Sequence, residues 1–424
     1  MKNYLDLIKQ HTGVALIYNG TEYTYEELAD FATQFQETIN KSFQSGDRPQ
    51  QIKSFAQDGD RSNNNKQLYI IKEDDILAQL VKFLGCQGTD YIPVIAPQSF
   101  DSAQGPLYKH LISDKVVMAV MTSGTTGSNK IYTRSFNSWA DFFPIQNDVF
   151  RINKTSKVFT QGSLAFTGNL NTYMGAFYAG ATILAESDFN PKKWVKRIND
   201  YGADVIYLIP SKLLCLTRIK EQMTTVKSIM SGSESLGKSD IPKLKQVFPN
   251  TEITLYYGAS ETNYITYIKD HEMNEKRNLI GRPFEGIGVS LAADDRFIVD
   301  SPYHVEEVTS PYIINDVGSM DKNRMYYFEG RIDDIINIKG IKTSLHKIKN
   351  ALEELLPIKE AVVRYENQVI EAEVILNRSQ ESNIMIIEQI KKDLHDKLQS
   401  YEIPRKIVVV ETLDKNESGK VILQ

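Results

Sequence analysis

The spacing of apolar residues changes repeatedly along the chain, and each change predicts an element. DDILAQLVKFLG (74–85) places apolar residues at helical spacing, and TDYIPVIAP (89–97) is a short apolar run typical of a buried strand. Nearer the start, ALIYNGTEYTYEEL predicts a hairpin that turns at Asn19-Gly20. The same run predicts a helix capped by Thr24, because Glu27 follows three positions later.

Between these elements and about residue 300, helical and strand-like segments alternate. Residues 45–66 are polar and rich in turn-forming residues, which predicts a loop. Beyond them come strand-like runs such as ADVIYLIP, VKSIMSG and EITLYYG, separated by helical patterns. This alternation favours layered α/β structure. The sequence does not repeat with a period of 20 to 50 residues, so a repeat protein is not indicated. A chain of 424 residues is also too long for one ordinary core, so two or more domains are expected.

The last ninety residues have a different pattern. LHKIKNALEELL is an amphipathic helix, AVVRYENQVIEAEVIL a hairpin, IMIIEQIKKDLHDKL a second helix and KIVVVETL a strand. They predict a small α+β module. The predicted organisation is therefore a large N-terminal α/β domain (1–330), a hinge (331–334) and a small α+β C-terminal domain (335–424).

Composition narrows the function classes. The chain is 41% hydrophobic and 24% charged, as in a soluble globular protein, and its net charge of −5 gives no indication of a nucleic-acid surface. Cys86 and Cys215 lie far apart and lack metal-ligand spacing, so we expect a reducing compartment and no disulfide framework. No apolar run approaches the length of a membrane span. We therefore expect a cytoplasmic protein.

One short stretch, MTSGTTGSNKIYT (121–133), is suited to binding an anion. Its small residues let backbone N–H groups converge on one anion, while hydroxyls and a lysine add donors. It does not fit the GxxxxGK[ST] phosphate loop, and a plain surface loop remains the alternative. The candidate phosphate-binding residues are Thr122, Ser123, Gly124, Thr125, Thr126, Gly127 and Lys130.

The stretch resembles the TSG[ST]TGxPKG signature of the adenylate-forming superfamily, which includes acyl-CoA synthetases, nonribosomal peptide adenylation domains and luciferases. Further signatures follow in the family's order. They are LAFTGNLNTYMGAFYAGATIL (164–184), YYGASET (256–262), NLIGRPFEGIGVSL (278–291), YIINDVGSMDKNRMYYFEGRIDDIINIKG (312–340) and IPRKIVVVETLDKNESGKV (403–421). The resemblance covers the chain from about residue 115 to its end.

The resemblance implies ATP, Mg²⁺ and CoA as cofactors, and it assigns roles residue by residue. Lys420 would bridge the carboxylate and the α-phosphate, and Glu261 would hold Mg²⁺. Asp316 and Arg331 would reach the ribose, and Asp333 would be the hinge about which the small domain rotates. Nucleotide contacts are implied for Gly232, Ser233, Tyr257, Gly258, Ala259 and Ser260, a thiol-side position for Gly340, and an acyl pocket for Phe166 and Thr167.

Several positions depart from the family pattern. Asn129-Lys130-Ile131 replaces Pro-Lys-Gly, Ile314-Asn315 precedes Asp316, and Asn337 stands where a lysine is usual. Phe166-Thr167 lacks the aspartate that would pair with an α-ammonium group, which counts against amino-acid substrates because a buried unpaired cation is costly. Only about 120 residues precede the phosphate loop, so we expect a shortened N-terminal subdomain.

Three functional hypotheses follow. The first is an acyl-CoA synthetase that activates a fatty or other apolar carboxylic acid and transfers it to CoA. The second is a stand-alone adenylation enzyme that loads a carrier protein. The third is a degenerate nucleotide-binding regulatory protein. The six histidines form no zinc-like set, and GSES does not fit the nucleophile elbow of a serine hydrolase.

Overall fold

The structure is a computed structural model that describes residues 3–44, 52–53, 66–100, 112–122, 130–338, 340–377 and 383–413. By its internal contacts the chain divides into two units. The first unit comprises 1–275, 283–288 and 300–312, and the second comprises 276–282, 289–299 and 313–424. This division differs from the boundaries expected from sequence, and a hinge at 331–334 stays a prediction.

The first unit is a layered α/β assembly. Among its described residues, the helices are α1 Tyr4–Ile8, α2 Tyr25–Gln44, α3 Ile76–Gly85, α4 Asn137–Ala140, α5 Phe143–Phe150, α6 Thr167–Ala179, α7 Pro191–Tyr201, α8 Pro210–Leu216 and α9 Ile241–Val247. The strands are β1 Val14–Tyr18, β2 Thr21–Thr24, β3 Ile52–Lys53, β4 Gln67–Ile71, β5 Tyr91–Ile95, β6 Val116–Thr122, β7 Lys130–Ser135, β8 Lys157–Gln161, β9 Thr182–Glu186, β10 Val205–Tyr207, β11 Ser228–Ser231, β12 Glu252–Ala259 and β13 Asn263–Lys269.

Two sheets organise this unit. In one, the strands follow the order β13-β12-β11-β10-β8-β9-β1-β2, and those from β12 to β1 run parallel. In the other, the order is β3-β4-β5-β6-β7, with β4, β5 and β6 parallel. Because the side chains of parallel strands are covered on both faces, β5, β6 and β10 are buried almost throughout. The carboxyl ends of β10, β11 and β12 lie next to one another, which is where α/β proteins place their sites.

The predicted local signals near the N-terminus are confirmed. Tyr18 pairs with Thr21, so Asn19 and Gly20 form a two-residue turn, and both have positive φ (51° and 82°). The capping box closes in both directions. The Thr24 N–H donates to Glu27 Oε2 at 2.8 Å, and the Glu27 N–H donates to Thr24 Oγ1 at 3.1 Å.

The second unit contains mainly antiparallel strands. Its elements, some of which begin or end in the first unit, are β14 Leu279–Pro283, β15 Gly288–Leu291, β16 Arg296–Asp300, β17 Tyr312–Met320, β18 Tyr326–Arg331, β19 Ile335–Ile338, β20 Ile341–Ser344, α10 Leu345–Glu353, β21 Ile358–Glu366, β22 Val369–Leu376, α11 Asn383–Leu394 and β23 Lys406–Val409. The strand order is β15-β16-β17-β18-β14, followed by the hairpin β19-β20 and the sheet β21-β22-β23.

The helix–hairpin–helix–strand order expected for the C-terminal module is confirmed by α10, β21–β22, α11 and β23. Its apolar core packs α10 and α11 against one face of this sheet, with Ile348, Leu352, Val374 and Ile390 fully buried. The fold is therefore mixed α/β with a large sheet-rich N-terminal portion and a smaller C-terminal portion, as the sequence predicts.

Candidate active site

The predicted phosphate loop connects two paired strands. Strands β6 and β7 are antiparallel, and Thr122 is directly opposite Lys130. Thr122 is half-buried and Lys130 is exposed. The hairpin thus fixes both ends of the loop, while the predicted residues Ser123, Gly124, Thr125, Thr126 and Gly127 lie outside the described residues.

Glu261 lies at the tip of the hairpin that joins β12 to β13. Ala259 pairs with Asn263, so Ser260, Glu261 and Thr262 form a tight loop. Gly258 is required for this closure, because a Cβ there would lie 2.6 Å from the carbonyl oxygen of Asn263. The motif YYGASET therefore forms a narrow hairpin that presents a single carboxylate.

The Glu261 carboxylate is held by the strand that follows the phosphate loop. The hydroxyl of Tyr132 in β7 donates to Glu261 Oε1 at 2.9 Å. Burial, and secondarily the Glu261 charge, raise the pKa of Tyr132 far above its ordinary value, so the phenol stays a donor. Within the described residues, Glu261 Oε2 has no hydrogen-bond partner and is available to a ligand.

A segment of residues 303–307, the strap, runs over β7 and the hairpin tip. The Val305 N–H donates to the Glu261 carbonyl at 2.9 Å, and the Glu306 N–H donates to the Thr133 carbonyl at 3.0 Å. The Glu307 carboxylate accepts from both the N–H and the hydroxyl of Thr133, at 2.9 and 2.7 Å. Main-chain and side-chain bonds thus join the strap to both elements.

Sequence reasoning missed Arg134, which lies at the centre of this arrangement. Its guanidinium donates to the Ser260 carbonyl at 2.7 Å and to the Tyr303 carbonyl at 3.0 Å, and it lies over the Trp139 ring at 5.4 Å. The side chain is fully buried, and burial lowers its pKa to about 10, so it remains charged at neutral pH. One feature of the sequence could have indicated a buried role for Arg134: it lies at the alternate position between the two aromatic residues Tyr132 and Phe136.

The residues predicted to contact the nucleotide outside the phosphate loop and the ribose pair come together at the ends of two parallel strands. Gly232 directly follows β11, whose last residue, Ser231, is in register with Leu255 of β12. A Cβ at Gly232 would lie 2.5 Å from the ring of Tyr256. Tyr257 is half-buried, and Ser233 is exposed with a φ of 68°. This edge carries the predicted Gly232, Ser233, Tyr257, Gly258, Ala259 and Ser260.

In the second unit, the two residues predicted to reach ribose are neighbours. Asp316 in β17 is directly opposite Arg331 in β18, and Arg331 Nε lies 3.9 Å from Asp316 Oδ1. The Asp316 side chain is largely buried, and that of Arg331 is exposed. Antiparallel pairing therefore brings together two residues that are fifteen positions apart in sequence.

The predicted hinge and thiol-side residues occupy two adjacent turns of the second unit. Asp333 is exposed in a 3₁₀ turn, Ile332–Asp334, and its neighbour Asp334 accepts from the Arg331 N–H at 3.4 Å. Burial raises the pKa of Asp334. Gly340 has a φ of 89°, and its N–H donates to Asn337 Oδ1 at 2.7 Å, so Asn337 stabilises the β19–β20 turn. The predicted catalytic Lys420 lies outside the described residues.

Phe166 and Thr167, predicted for the acyl pocket, begin α6. Phe166 is the extended N-cap residue and Thr167 is the first helical residue, and both are half-buried. Just upstream, the Leu164 N–H and the Ser163 hydroxyl both donate to the buried Gln79 side chain. The start of α6 is thereby anchored to α3.

Across the described ranges, no group of three or more His, Cys, Asp or Glu side chains could alone hold a metal ion. In the same part of the chain, no helix is both long and apolar enough to cross a membrane.

Residues 55–300 match the family of AMP-binding enzymes. The chain is 26% identical over 336 residues to a putative long chain fatty acid-CoA ligase, VraA, of Staphylococcus haemolyticus, covering 76% of this chain and 72% of that protein. It is 23% identical over 302 residues to a 3,4-dihydroxybenzoate–[aryl-carrier protein] ligase of Bacillus anthracis, covering 71% of each. Its fold is similar to that of O-succinylbenzoate coenzyme A synthetase (MenE) of Bacillus subtilis in complex with ATP and magnesium ion, with a TM-score of 0.80, 16% identity and coverage of 100% of this chain and 98% of that chain.

The family match extends over more than half of the chain and includes the phosphate-loop strands, α6 and the Glu261 hairpin. The structural similarity adds the fold of the remainder, including the C-terminal module. The chain therefore belongs to the AMP-binding enzyme family of the adenylate-forming superfamily, and it is an AMP-forming ligase.

Proposed function

We propose that this ligase uses ATP to activate a carboxylic acid and then transfers the acyl group to the thiol of coenzyme A. In the first step, a carboxylate oxygen attacks the α-phosphorus of ATP, and the bond to the bridging oxygen of pyrophosphate breaks. In the second step, the thiolate sulfur attacks the carbonyl carbon of the acyl-adenylate, and AMP leaves with the electron pair of the broken C–O bond.

The observation that supports the proposal most is the 2.9 Å hydrogen bond between Tyr132 and Glu261. Tyr132 follows Lys130 by two positions, and Lys130 is opposite Thr122 at the other end of the phosphate loop. The strand that ends the loop therefore also holds the carboxylate at the hairpin tip. A polyphosphate in the loop and a cation on Glu261 would lie close together, which phosphoryl transfer requires.

Glu261 fits the role of a Mg²⁺ ligand. Magnesium prefers hard oxygen ligands and is often held by one or two carboxylates together with substrate phosphates. Glu261 offers one such oxygen, and the neutral Tyr132 phenol orients its carboxylate. When bound, Mg²⁺ would supply charge neutralisation at the phosphates. Arg134 would contribute by holding the Ser260 carbonyl, and with it the hairpin tip.

Two lysines complete the proposed charge neutralisation. Lys420 would approach both the carboxylate and the α-phosphate oxygens, since an ammonium on a flexible stem suits that bridging role. Lys130, with the loop hydroxyls and N–H groups, would bind the leaving pyrophosphate.

The remaining predicted residues would bind the nucleoside. Tyr257 and the Gly232–Ser233 segment would flank the adenine, and Asp316 would accept hydrogen bonds from both ribose hydroxyls with Arg331 beside it. The roles of Asp333 as hinge and Gly340 on the thiol side stay predictions.

Transfer to a carrier protein is the second candidate, favoured by the Bacillus anthracis relative that is named an aryl-carrier protein ligase. The two candidates share the first step and differ only in the thiol. A protein that binds ATP without activating any acid is the third.

Acid-dependent exchange of labelled pyrophosphate into ATP tests the proposal. We expect exchange with Mg²⁺ and one class of acid, and its loss in Lys420→Ala and Glu261→Gln. The matched variants Lys415→Ala and Glu285→Gln, the latter at an exposed position, should retain it. Adding CoA to the responding acid should then yield an acyl-CoA by mass spectrometry. Transfer only to a phosphopantetheinylated carrier would favour the second candidate, and ATP binding without exchange would overturn the proposal.

A further inference from the structure

Three buried tyrosines fill the region behind the start of α6. Tyr207 ends β10, Tyr256 lies in β12 and Tyr264 lies in β13, and all three are at most 7% exposed. The hydroxyls of Tyr207 and Tyr256 are 3.0 Å apart, and the rings of Tyr256 and Tyr264 stack with centroids 4.1 Å apart. They form one continuous group of phenol rings, the tyrosine cluster.

The cluster packs directly against the backbone of α6 and of the β11 end. A Cβ at Gly168 would lie 2.0 Å from the Tyr207 hydroxyl, and a Cβ at Gly232 would lie 2.5 Å from the Tyr256 ring. A larger residue at either position would require the tyrosine side chain to move. An acyl chain that entered beside Phe166 and Thr167 and ran towards β11 and β12 would meet the phenol rings almost at once.

The same face of α6 carries polar groups without partners. Residues 168, 171, 172 and 175 share that face because they are three or four positions apart. Asn171 is 2% exposed, and neither its side-chain oxygen nor its nitrogen has a hydrogen-bond partner within the described residues. The Tyr264 hydroxyl lies near Thr172 and Tyr256 without a well-aligned bond to either.

The side-chain amide of Gln146, like that of Asn171, is buried without hydrogen-bond partners among the described residues. Gln146 of α5 is fully buried, and both polar atoms of its side chain lack partners in the part of the chain that the structure describes. Its nitrogen would lie 2.7 Å from a Cβ at Gly175, so it borders the same helix face. Buried polar groups are normally paired, and leaving them against an aliphatic chain would be unfavourable.

We propose that the tyrosine cluster and Asn171 restrict this ligase to short carboxylic acids that carry a hydroxyl, oxo or similar hydrogen-bonding group. The cluster excludes long aliphatic chains by volume, and Asn171 recognises the polar group. The proposal rests on the proposed function and narrows its acid. It differs from the apolar acid expected from sequence, and from the substrate named for the Staphylococcus haemolyticus relative.

Pyrophosphate exchange with matched acids tests this inference. The panel holds acids of two to eight carbons with and without a hydroxyl or oxo group, together with hexadecanoate. We expect kcat/KM at least ten-fold higher for a substituted short acid than for its unsubstituted counterpart, and no exchange with hexadecanoate. Exchange with hexadecanoate at a rate equal to that of the short acids would overturn the proposal while leaving adenylation intact. Failure of every acid would instead overturn the proposed function.

Substitutions at two positions separate effects on acid specificity from effects on packing. Asn171→Leu should lower kcat/KM for the substituted acid about ten-fold and leave the unsubstituted acid unchanged or improved. Tyr207→Ala should admit acids of six to eight carbons, and Tyr207→Phe, which keeps the ring, should not. Tyr173→Phe alters another fully buried tyrosine and serves as the control. Equal losses for both acids in Asn171→Leu would contradict the assignment of Asn171.

Discussion

The hydroxyl of Tyr132 donates a 2.9 Å hydrogen bond to the carboxylate of Glu261, although 129 positions separate the two residues. The bond joins the strand after the phosphate loop to the tip of the β12–β13 hairpin. Since Tyr132 stays protonated, it can fix one carboxylate oxygen without competing as an anion for a cation at the other.

Replacing Tyr132 by Phe should raise the Mg²⁺ requirement of the enzyme. The loss of one hydrogen bond to a charged group weakens the orientation of the carboxylate by about 1.5–3 kcal/mol. We therefore expect roughly ten-fold more Mg²⁺ for half-maximal pyrophosphate exchange, with a smaller change at saturating Mg²⁺. A magnesium titration measures the effect, and Tyr173→Phe should titrate like the wild type. An unchanged Mg²⁺ midpoint would show that the bond does not position the metal ligand.

Arg134 should contribute strongly to the stability of the first unit. In Arg134→Met the carbonyls of Ser260 and Tyr303 lose their buried donors, at about 1–3 kcal/mol each. We expect a loss of about 3 kcal/mol in the free energy of unfolding, measured by urea denaturation. Arg151 is a suitable control because its ion pair with Glu252 is largely exposed on the arginine side. Arg151→Met should cost at most about 1 kcal/mol.

Elements set by neighbouring residues could be predicted from the sequence. The Asn19-Gly20 turn and the Thr24–Glu27 capping box involve residues at most three positions apart, so a short stretch of sequence contains every interacting residue. The C-terminal helices and strands were predictable for the same reason, since one face of each is apolar. The candidate site residues were assigned by resemblance, because the order of their motifs along the chain matches a known family, and their roles stay predictions.

Contacts between distant segments could not be predicted in this way. Arg134 donates hydrogen bonds to carbonyls that are 126 and 169 positions away, and the sequence around Arg134 does not predict these partners. The tyrosine cluster likewise needs the register of three strands. The choice of acid is another such case, since a family motif locates the start of α6 but not the side chains packed behind it.

Replacing Asp316 by Ala should weaken ATP binding through the ribose. A carboxylate that accepts two hydroxyl hydrogen bonds contributes about 1.5–3 kcal/mol per charged bond. We expect at least a ten-fold rise in the Kd for ATP by calorimetry. Comparing two nucleotides with the two proteins makes the test specific to the ribose. The wild type should bind 2′-deoxy-ATP more weakly than ATP, and Asp316→Ala should bind both equally. If the variant still discriminates between them, another residue contacts the 2′-hydroxyl.

His346 should make the second unit less stable in mild acid. Its ring packs edge-on against Phe328 at 4.8 Å, and burial, with a smaller contribution from Lys349, lowers its pKa from 6.5 to about 4. Between these two values the unfolded chain binds a proton that the folded chain does not, so stability falls as the pH drops from 6.5 to 4. The resulting decrease in the free energy of unfolding is at most about 3 kcal/mol.

Comparing variants isolates this contribution from the carboxyl groups Asp334 and Glu353, whose pKa values burial raises. Hydrogen exchange of peptides from the C-terminal module, followed in the full chain at pH 7 and pH 4.5, measures local stability. His346→Gln should lose less protection than the wild type on acidification, because glutamine takes up no proton. His395→Gln, at an exposed position in the turn directly after α11, should behave like the wild type. If His346→Gln and the wild type lose protection equally, the half-buried His346 imidazole is not the source of the acid sensitivity.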